Sequence, residues 1–547
     1  MAINNIIQMK NVLKQAFALM LVILVSIIKV NAQETTAEIQ GLVLNGTVGL
    51  AGVSVTAIHQ PTGTKYSTTT RNDGRYNLIN LKVGGPYLVE VSYVGFKKDQ
   101  QNEINLLLGQ AYKANFKLVE ASNTLQEVVV RSTNQDKVFS NSRTGSQDNF
   151  NRNQITSLPT ISRSYKDIIK LTPTYNGMSF GGQSSQLNNI TIDGANFNNS
   201  FGLSGDIGGQ TGQVAVSLDA IEQIKVNISP FDVRQGGFVG GNVNSVSRSG
   251  ANTATGSVYQ YMKSKDWQGY EVNAAPYTIV VPKQDFSYDL KGFTVGGALI
   301  KNKLFYFVNA EQEEKTAPAH TWVASTPSSA PNGTTVSIAK AAELDALASF
   351  LKSKYDYDPG AYQNFSYATK SKRLTAKIDW NIDENNTFSF KYSYLKSADD
   401  KAPSNSASVN TSNGRQSNAT SLPFSGAGYT INNNANIFIA ELNTKFSNSM
   451  SNKLQVGYTA LRDFRSSLSG KDFPFVDILD GSGSITSSRP FTSFGYELFS
   501  YGNVLNTDVF QFNDILSLYV GNHEITAGIQ SSYKKYLNGF SPNYSGT

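Results

Sequence analysis

From about residue 251 the chain reads as long segments in which apolar or aromatic residues alternate with polar ones. TGSVYQYMKS, YDLKGFTVGGALI, NKLFYFVNAEQ, RLTAKIDWNI, NTFSFKYSYL, NIFIAELNTKF, KLQVGYTALRD, VFQFNDILSLY and HEITAGIQSSYKKY all show it. Alternation has the two-residue period of a β-strand, whose successive side chains point to opposite faces. In NTFSFKYSYL, Phe388, Phe390, Tyr392 and Tyr394 share one face, while Ser389, Lys391 and Ser393 share the other. The pattern predicts roughly nine or ten strands of about ten residues each. Turns such as Asp383-Glu384-Asn385 and Ser449-Met450-Ser451-Asn452 join them in pairs, and long polar stretches at 314–370 and 397–434 separate the pairs.

The first third of the chain is patterned differently. Over residues 33–119, short β-prone runs (EIQGLVLNG, GVSVTAIHQ, KYSTTT, RYNLINL, YLVEVSYVGF, YKANFKLVE) are separated by turn signals, among them Pro61-Thr62-Gly63 and Asp73-Gly74. Turns every 8 to 12 residues or so predict a β-sandwich, and Asp73-Gly74 fits a tight hairpin. Tyr76, Tyr87, Tyr93 and Phe96 alternate with apolar residues and read as core rather than as a sugar platform. Residues 120–135 form a polar linker around one compact run, Leu125-Gln126-Glu127-Val128-Val129-Val130. Residues 136–250 are rich in Gly, Asn and Ser. SLPTISRSYKDIIKLTP (157–173) predicts a helix with Ile161, Tyr165, Ile168, Ile169 and Leu171 on one face, capped by Ser162 or Ser164 and stopped by Pro173.

Composition sharpens the picture. Gly (45), Tyr (27) and Phe (30) are plentiful while charged residues are 16%, which suits many strands joined by polar turns. At the start, Lys10 and Lys14 precede the apolar run Ala16–Ile28, and Val30-Asn31-Ala32 offers a cleavage site. These are the parts of a secretory signal over residues 1–32; an uncleaved anchor is disfavoured because the run falls short of the roughly 20 residues a spanning helix needs. Removing Lys10, Lys14 and Lys29 with the signal lowers the formal charge from +6 to +3, which argues against a nucleic-acid partner. An exported chain whose strands are aromatic on one face and polar on the other fits a barrel in an outer membrane, with the aromatics toward lipid.

Catalytic and metal-binding patterns are missing. There is no cysteine, the three histidines are scattered, and no HExxH pattern accompanies the sandwich. Gly-rich runs such as GLSGDIGGQTGQ lack the lysine of a phosphate loop. Glu311-Gln312-Glu313-Glu314 reads as a solvated strand end rather than a calcium site, and Asp480-Gly481-Ser482-Gly483 lacks the later glutamate of a cation loop. No enzyme, no metal and no cofactor are predicted.

The order of residues carries a resemblance as well. PTGTKYSTTT and LKVGGPYLVEVSYVGF, within 33–119, resemble the carboxypeptidase-regulatory-like domain (carbohydrate-binding-like fold) found at the front of Oar-like receptors. ITIDG (190–194), LDAIEQIKV (218–226) and GFVGGNVNSVSRSG (237–250) together resemble the plug domain of TonB-dependent receptors, here 136–250. The resemblance implies a mainly β chain: sandwich, α+β plug, and the first part of a large antiparallel transmembrane barrel over 251–547. It implies that residues 125–130 are a TonB box, an extended segment that adds as a strand to a TonB-type energising protein; the competing reading is a last strand of the sandwich. It implies energy-coupled uptake of a large nutrient across the cell outer membrane, with the N-terminal domain in the periplasm. An unknown extracellular ligand would meet Asn196, Phe197, Asn198, Asn199 and Phe201 after the DG turn, unless these pack on the barrel wall. Two other readings stay open, an outer-membrane adhesion or export role of the Oar type and a secreted binding protein without a barrel. Plugged barrels use about 22 strands, so the natural product is expected to continue past Thr547.

Overall fold

Nine strands form one antiparallel sheet in strict chain order. They are Thr255–Ser264, Ser287–Ile300, Leu304–Pro318, Ser366–Asn381, Asn386–Lys401, Tyr429–Ser447, Met450–Ser467, Val504–Val520 and His523–Gly539. The computed structural model describes residues 34–121, 130–132, 146–160, 162–177, 179–228, 232–269, 271–274, 277–280, 285–406, 414–483, 488–521 and 523–542. The leader predicted over residues 1–32 lies outside the described residues. Among those described, no helix is long and apolar enough to cross a membrane.

The sheet is apolar outside and polar inside. Along one outward row the register sets Val308, Ala376, Tyr392, Phe438, Tyr458, Phe510 and Tyr533 side by side. Neighbouring rings in it meet, Tyr392 stacked on Phe438 at 4.9 Å and Tyr458 tilted against Phe510 at 5.2 Å. Two rows nearer the long loops, Lys291, Gln312, Lys372 and Lys396 line up in register and end the apolar band on those strands. Inward positions of the same strands are polar and buried, among them Asn309, Thr375, Lys391 and Ser393. Charged or amide groups facing inward are stable only where something hydrogen-bonds them.

Most of these strands run 14 to 19 residues, longer than the ten or so predicted. They continue past the apolar band into the long connections, which are more than loops. Segments from 319–365, 402–428 and 468–503 share a core of Ala339, Leu344, Leu351, Tyr357, Leu422, Phe424 and Phe494. A helix, Ala341–Tyr355, sits in the first of them. The chain therefore builds a cap at the long-loop end, while the described connections at the opposite end are tight turns such as Asn448-Ser449.

Residues 146–247 form a second, smaller body against the inner face. Its five-stranded sheet runs Ser146–Phe150, Ile221–Ile228, Gly241–Ser247, Asn189–Ile192, Ala195–Asn196. One apolar cluster joins Ile168, Ile192, Phe197, Val216 and Ile224 of this unit to Phe307, Leu395, Ile437 and Leu461 of the wall. The helix predicted over 157–173 is confined to Tyr165–Ile169, capped by Ser164, with Leu171 exposed and Ile161 outside the described residues. Arg163 shortens it by adopting φ +51°, which lets its guanidinium reach Asp219 and cover the Tyr261 ring at 4.5 Å. Tertiary contacts outweigh helix propensity there.

Two five-stranded sheets make up the N-terminal sandwich. Ala37–Asn45 and Arg75–Leu81 lie in one; Ser54–His59, Thr64–Thr69, Gly84–Ser92 and Asp99–Leu106 lie in the other. Asp73-Gly74 is not a hairpin: it carries the chain from Thr69 in one sheet to Arg75 in the other. Gly74 is required at this corner because it takes φ +79° and a Cβ would meet the Val43 carbonyl at 2.6 Å. Tyr76 and Tyr87 are core, whereas Tyr93 is exposed at the far tip.

Candidate functional site

The inner face of the sheet and the unit it holds meet through buried charge. Arg373 is shared by Glu311 at 3.2 Å and Glu313 at 2.6 Å, all three buried. Glu311 also accepts hydrogen bonds from Ser217 of the enclosed unit and from Tyr259 at 2.7 Å. Gln213 donates to Glu313 at 3.3 Å and accepts from Ser371 at 3.1 Å. The acidic run at 311–314 is thus not a solvated strand end. Strand alternation turns Glu311 and Glu313 inward, and only Gln312 and Glu314 face out.

The DG turn is fixed just as firmly. Asp193 takes φ +48°, and its carboxylate accepts from the Ser247 N–H at 2.8 Å and from Lys391 at 2.7 Å, with Lys377 at 4.0 Å. Gln455 donates to its carbonyl at 2.8 Å. Burial alone would push this carboxyl up, but Lys391 and Lys377 outweigh it and hold the group well below the usual carboxylate range.

A third contact uses the first described residues. Glu34 is buried between Lys225 at 3.0 Å and Arg234 at 2.5 Å, and Thr35 donates to the Glu441 carboxylate. The sandwich closes the short-turn end from below. Gln223 of the enclosed unit binds the sandwich backbone twice, at Leu106 O and Leu108 N, both 2.9 Å. Asn381 and Asn448 of the wall donate to Thr64 at 2.8 Å and Thr69 at 2.7 Å.

The residues singled out from sequence fall in two places. Leu125, Gln126, Glu127, Val128 and Val129 lie outside the described residues. Val130 opens a three-residue strand, Val130–Ser132, paired in parallel with Gln100–Asn102 of the sandwich. In the stretch after the DG turn, Phe197 is core and lies under Lys391 at 5.3 Å. Asn196 donates to Asn189, Asn198 accepts from the Ile190 N–H at 2.8 Å, and Asn199 accepts from the Phe201 and Gly202 N–H groups, each at 3.2 Å. Only Phe201 is exposed, edge-on to Tyr536 of the last strand at 5.6 Å. Sequence reading did not single out Asp193, Lys377, Arg373 or Glu34 as contact residues. For Lys377 and Arg373 the available signal was a charge on the polar face of an alternating strand; Asp193 lies in the DG turn and Glu34 ahead of the first strand, where no such period exists.

Residues 246–547 match the family model described as outer membrane beta barrel domain. The chain belongs to this family. With the apolar outer face, membership places the barrel in the outer membrane. Residues 38–119 match the carboxypeptidase regulatory-like domain. The chain is 24% identical over 269 residues to the TonB-dependent transporter Oar of Myxococcus xanthus, a match covering 47% of this chain and 24% of that protein. The barrel chain thus spans about a quarter of the length of the curated relative it matches. Among solved structures it is similar to the outer membrane transporter YddB of Escherichia coli (14% identity, TM-score 0.48, 71% of this chain and 48% of that one). It is also similar to the siderophore receptor PirA of Acinetobacter baumannii (16% identity, TM-score 0.43, 72% and 48%).

Proposed function

We propose that the barrel protein is a TonB-dependent receptor that imports a large nutrient by energy-coupled rearrangement of a plug, residues 136–250. The observation that carries the reading is the smaller unit itself: a folded body held against the inner face of the sheet by a shared apolar cluster and by buried hydrogen bonds and ion pairs. The polar contacts exchange for water with small net change, so the apolar cluster is the main resistance to a shift that leaves the wall folded. The TonB-dependent transporter Oar supports the same reading by similarity. Ligand would arrive over the cap, at the exposed end of the 196–201 stretch near Phe201. On the other side, residues 125–130 would serve as the TonB box and pair with the periplasmic energising protein through main-chain bonds. Pairing that reaches Val130 would displace the short ladder holding it to the sandwich.

Binding of the purified C-terminal domain of a TonB-type protein to the full chain tests this. Val128→Pro removes a backbone donor and should abolish binding, while Val128→Thr should leave it within about twofold, since strand pairing makes little demand on side chains. Equal binding by both variants would refute the box assignment.

A further inference from the structure

A row of alternating charges joins the sandwich to the enclosed unit through the wall. Lys82 of the sandwich faces Asp379 of the wall at 3.6 Å, and Asp379 faces Lys377 at 3.6 Å. Lys377 lies 4.0 Å from Asp193 of the enclosed unit, which binds Lys391 at 2.7 Å. Lys82, Asp379, Lys377 and Asp193 line one cavity of about 230 Å³ where the three bodies meet, together with Glu222 and Glu441. Lys82 is pushed down from the usual lysine range by burial first of all; Asp379 opposes that and Lys377 adds to it.

We propose that this row couples the seat of the sandwich to the seat of the enclosed unit, with Lys377 as the shared element. Lys377 is divided between two carboxylates, one on the wall and one on the enclosed unit. While Asp193 is seated, it neutralises Lys377, and Asp379 is left to hold Lys82. When Asp193 withdraws, Lys377 keeps only Asp379 beside it and Glu441 farther off; it draws Asp379 more strongly and repels Lys82, and the sandwich loosens. Partly buried charges this close interact more strongly than charges on an open surface, because less water screens them. Coupling of this kind is reciprocal, so loosening the sandwich weakens the seat of the enclosed unit by the same factor. A sandwich at the short-turn end therefore reports the position of the enclosed unit rather than merely filling the opening.

The signs make the inference testable without a transported ligand or an energising partner. It goes beyond the transport reading, and either can fail while the other stands. The chain has no cysteine, so Val94→Cys on the exposed sandwich tip and Lys301→Cys in a short turn give a defined pair for spin labels. In the full chain in detergent, the docked distance between the labels is followed through a urea titration. Asp193→Asn should lower the docking midpoint, shifting the docked-to-free ratio about tenfold. Lys377→Gln should raise the midpoint, because it removes the charge that repels Lys82 and competes for Asp379. The double variant should return close to the starting value. A Lys377→Gln variant that loosens the sandwich as Asp193→Asn does overturns the proposal, as does a midpoint that neither variant moves. If Asp193→Asn fails to fold, the sign of the Lys377→Gln shift alone decides.

Discussion

Arg373 concentrates the energetics of the inner wall in one side chain. Its guanidinium is shared by two buried carboxylates on alternate residues of one strand. Arg373→Ala leaves both facing each other, and breaking a buried pair in this way costs about 3–5 kcal/mol. The expected result is a lower midpoint in the heat-induced mobility shift of the barrel, with Arg373→Lys falling in between because it loses the two-armed geometry. On the sandwich, burial and then Glu524 push Glu38 up to about 7 from its ordinary 4.5. A raised carboxyl pKa gives stability that is full below pH 4.5 or so and lost as pH rises through about 7, by at most about 3 kcal/mol. Urea stability of the seated sandwich should fall between pH 5 and pH 8, and Glu38→Gln should flatten the curve; an unchanged slope would remove Glu38 from the account. At this scale the sequence was half legible. Alternation put Lys391 on the polar face correctly, and the same rule turns Glu311 and Glu313 inward. Their partner Arg373 lies some sixty residues on, and only strand register brings it opposite.

The strands themselves were legible because each carries its own two-residue period. All nine appear where alternation places them, in chain order, with tight turns at one end and long connections at the other. Their outward rows also define a test. Phe438 stands in the aromatic row between Tyr392 and Tyr458. Phe438→Lys should cost about 2–4 kcal/mol and lower the yield of heat-modifiable barrel, as a cation facing lipid near mid-membrane does. Thr375→Ser, on the inner face, keeps a hydroxyl at a buried polar position and should insert normally. The cap was not legible as a body. Its helix, Ala341–Tyr355, does show Leu344, Leu347 and Leu351 at helical spacing, but its partners Phe424 and Phe494 come from other connections. Polar composition read those stretches as loops, since a core assembled from three distant segments leaves no local period in any of them. The Asp73-Gly74 corner misled for a related reason: a turn sequence specifies a reversal of direction, not which sheet the next strand joins.

At the scale of the whole molecule, three bodies share one axis of contact: a sandwich at the short-turn end, an enclosed α+β unit, and a wall whose far end carries the cap. Apolar surface points to lipid outside, and buried polar groups face the enclosed unit inside, the inverse of a soluble core. The proposed import draws on that inversion: ion pairs and hydrogen bonds at the seat exchange for water at modest cost, while the apolar cluster shared with Phe307, Leu395, Ile437 and Leu461 sets the resistance a pull must overcome. The most direct test is fractionation of cells producing the native protein, followed by an immunoblot of unheated and boiled outer-membrane samples. The expected result is a band in the outer-membrane fraction whose mobility changes on boiling, because the wall stays folded in detergent until heated. A soluble band with the same mobility in both samples would contradict it.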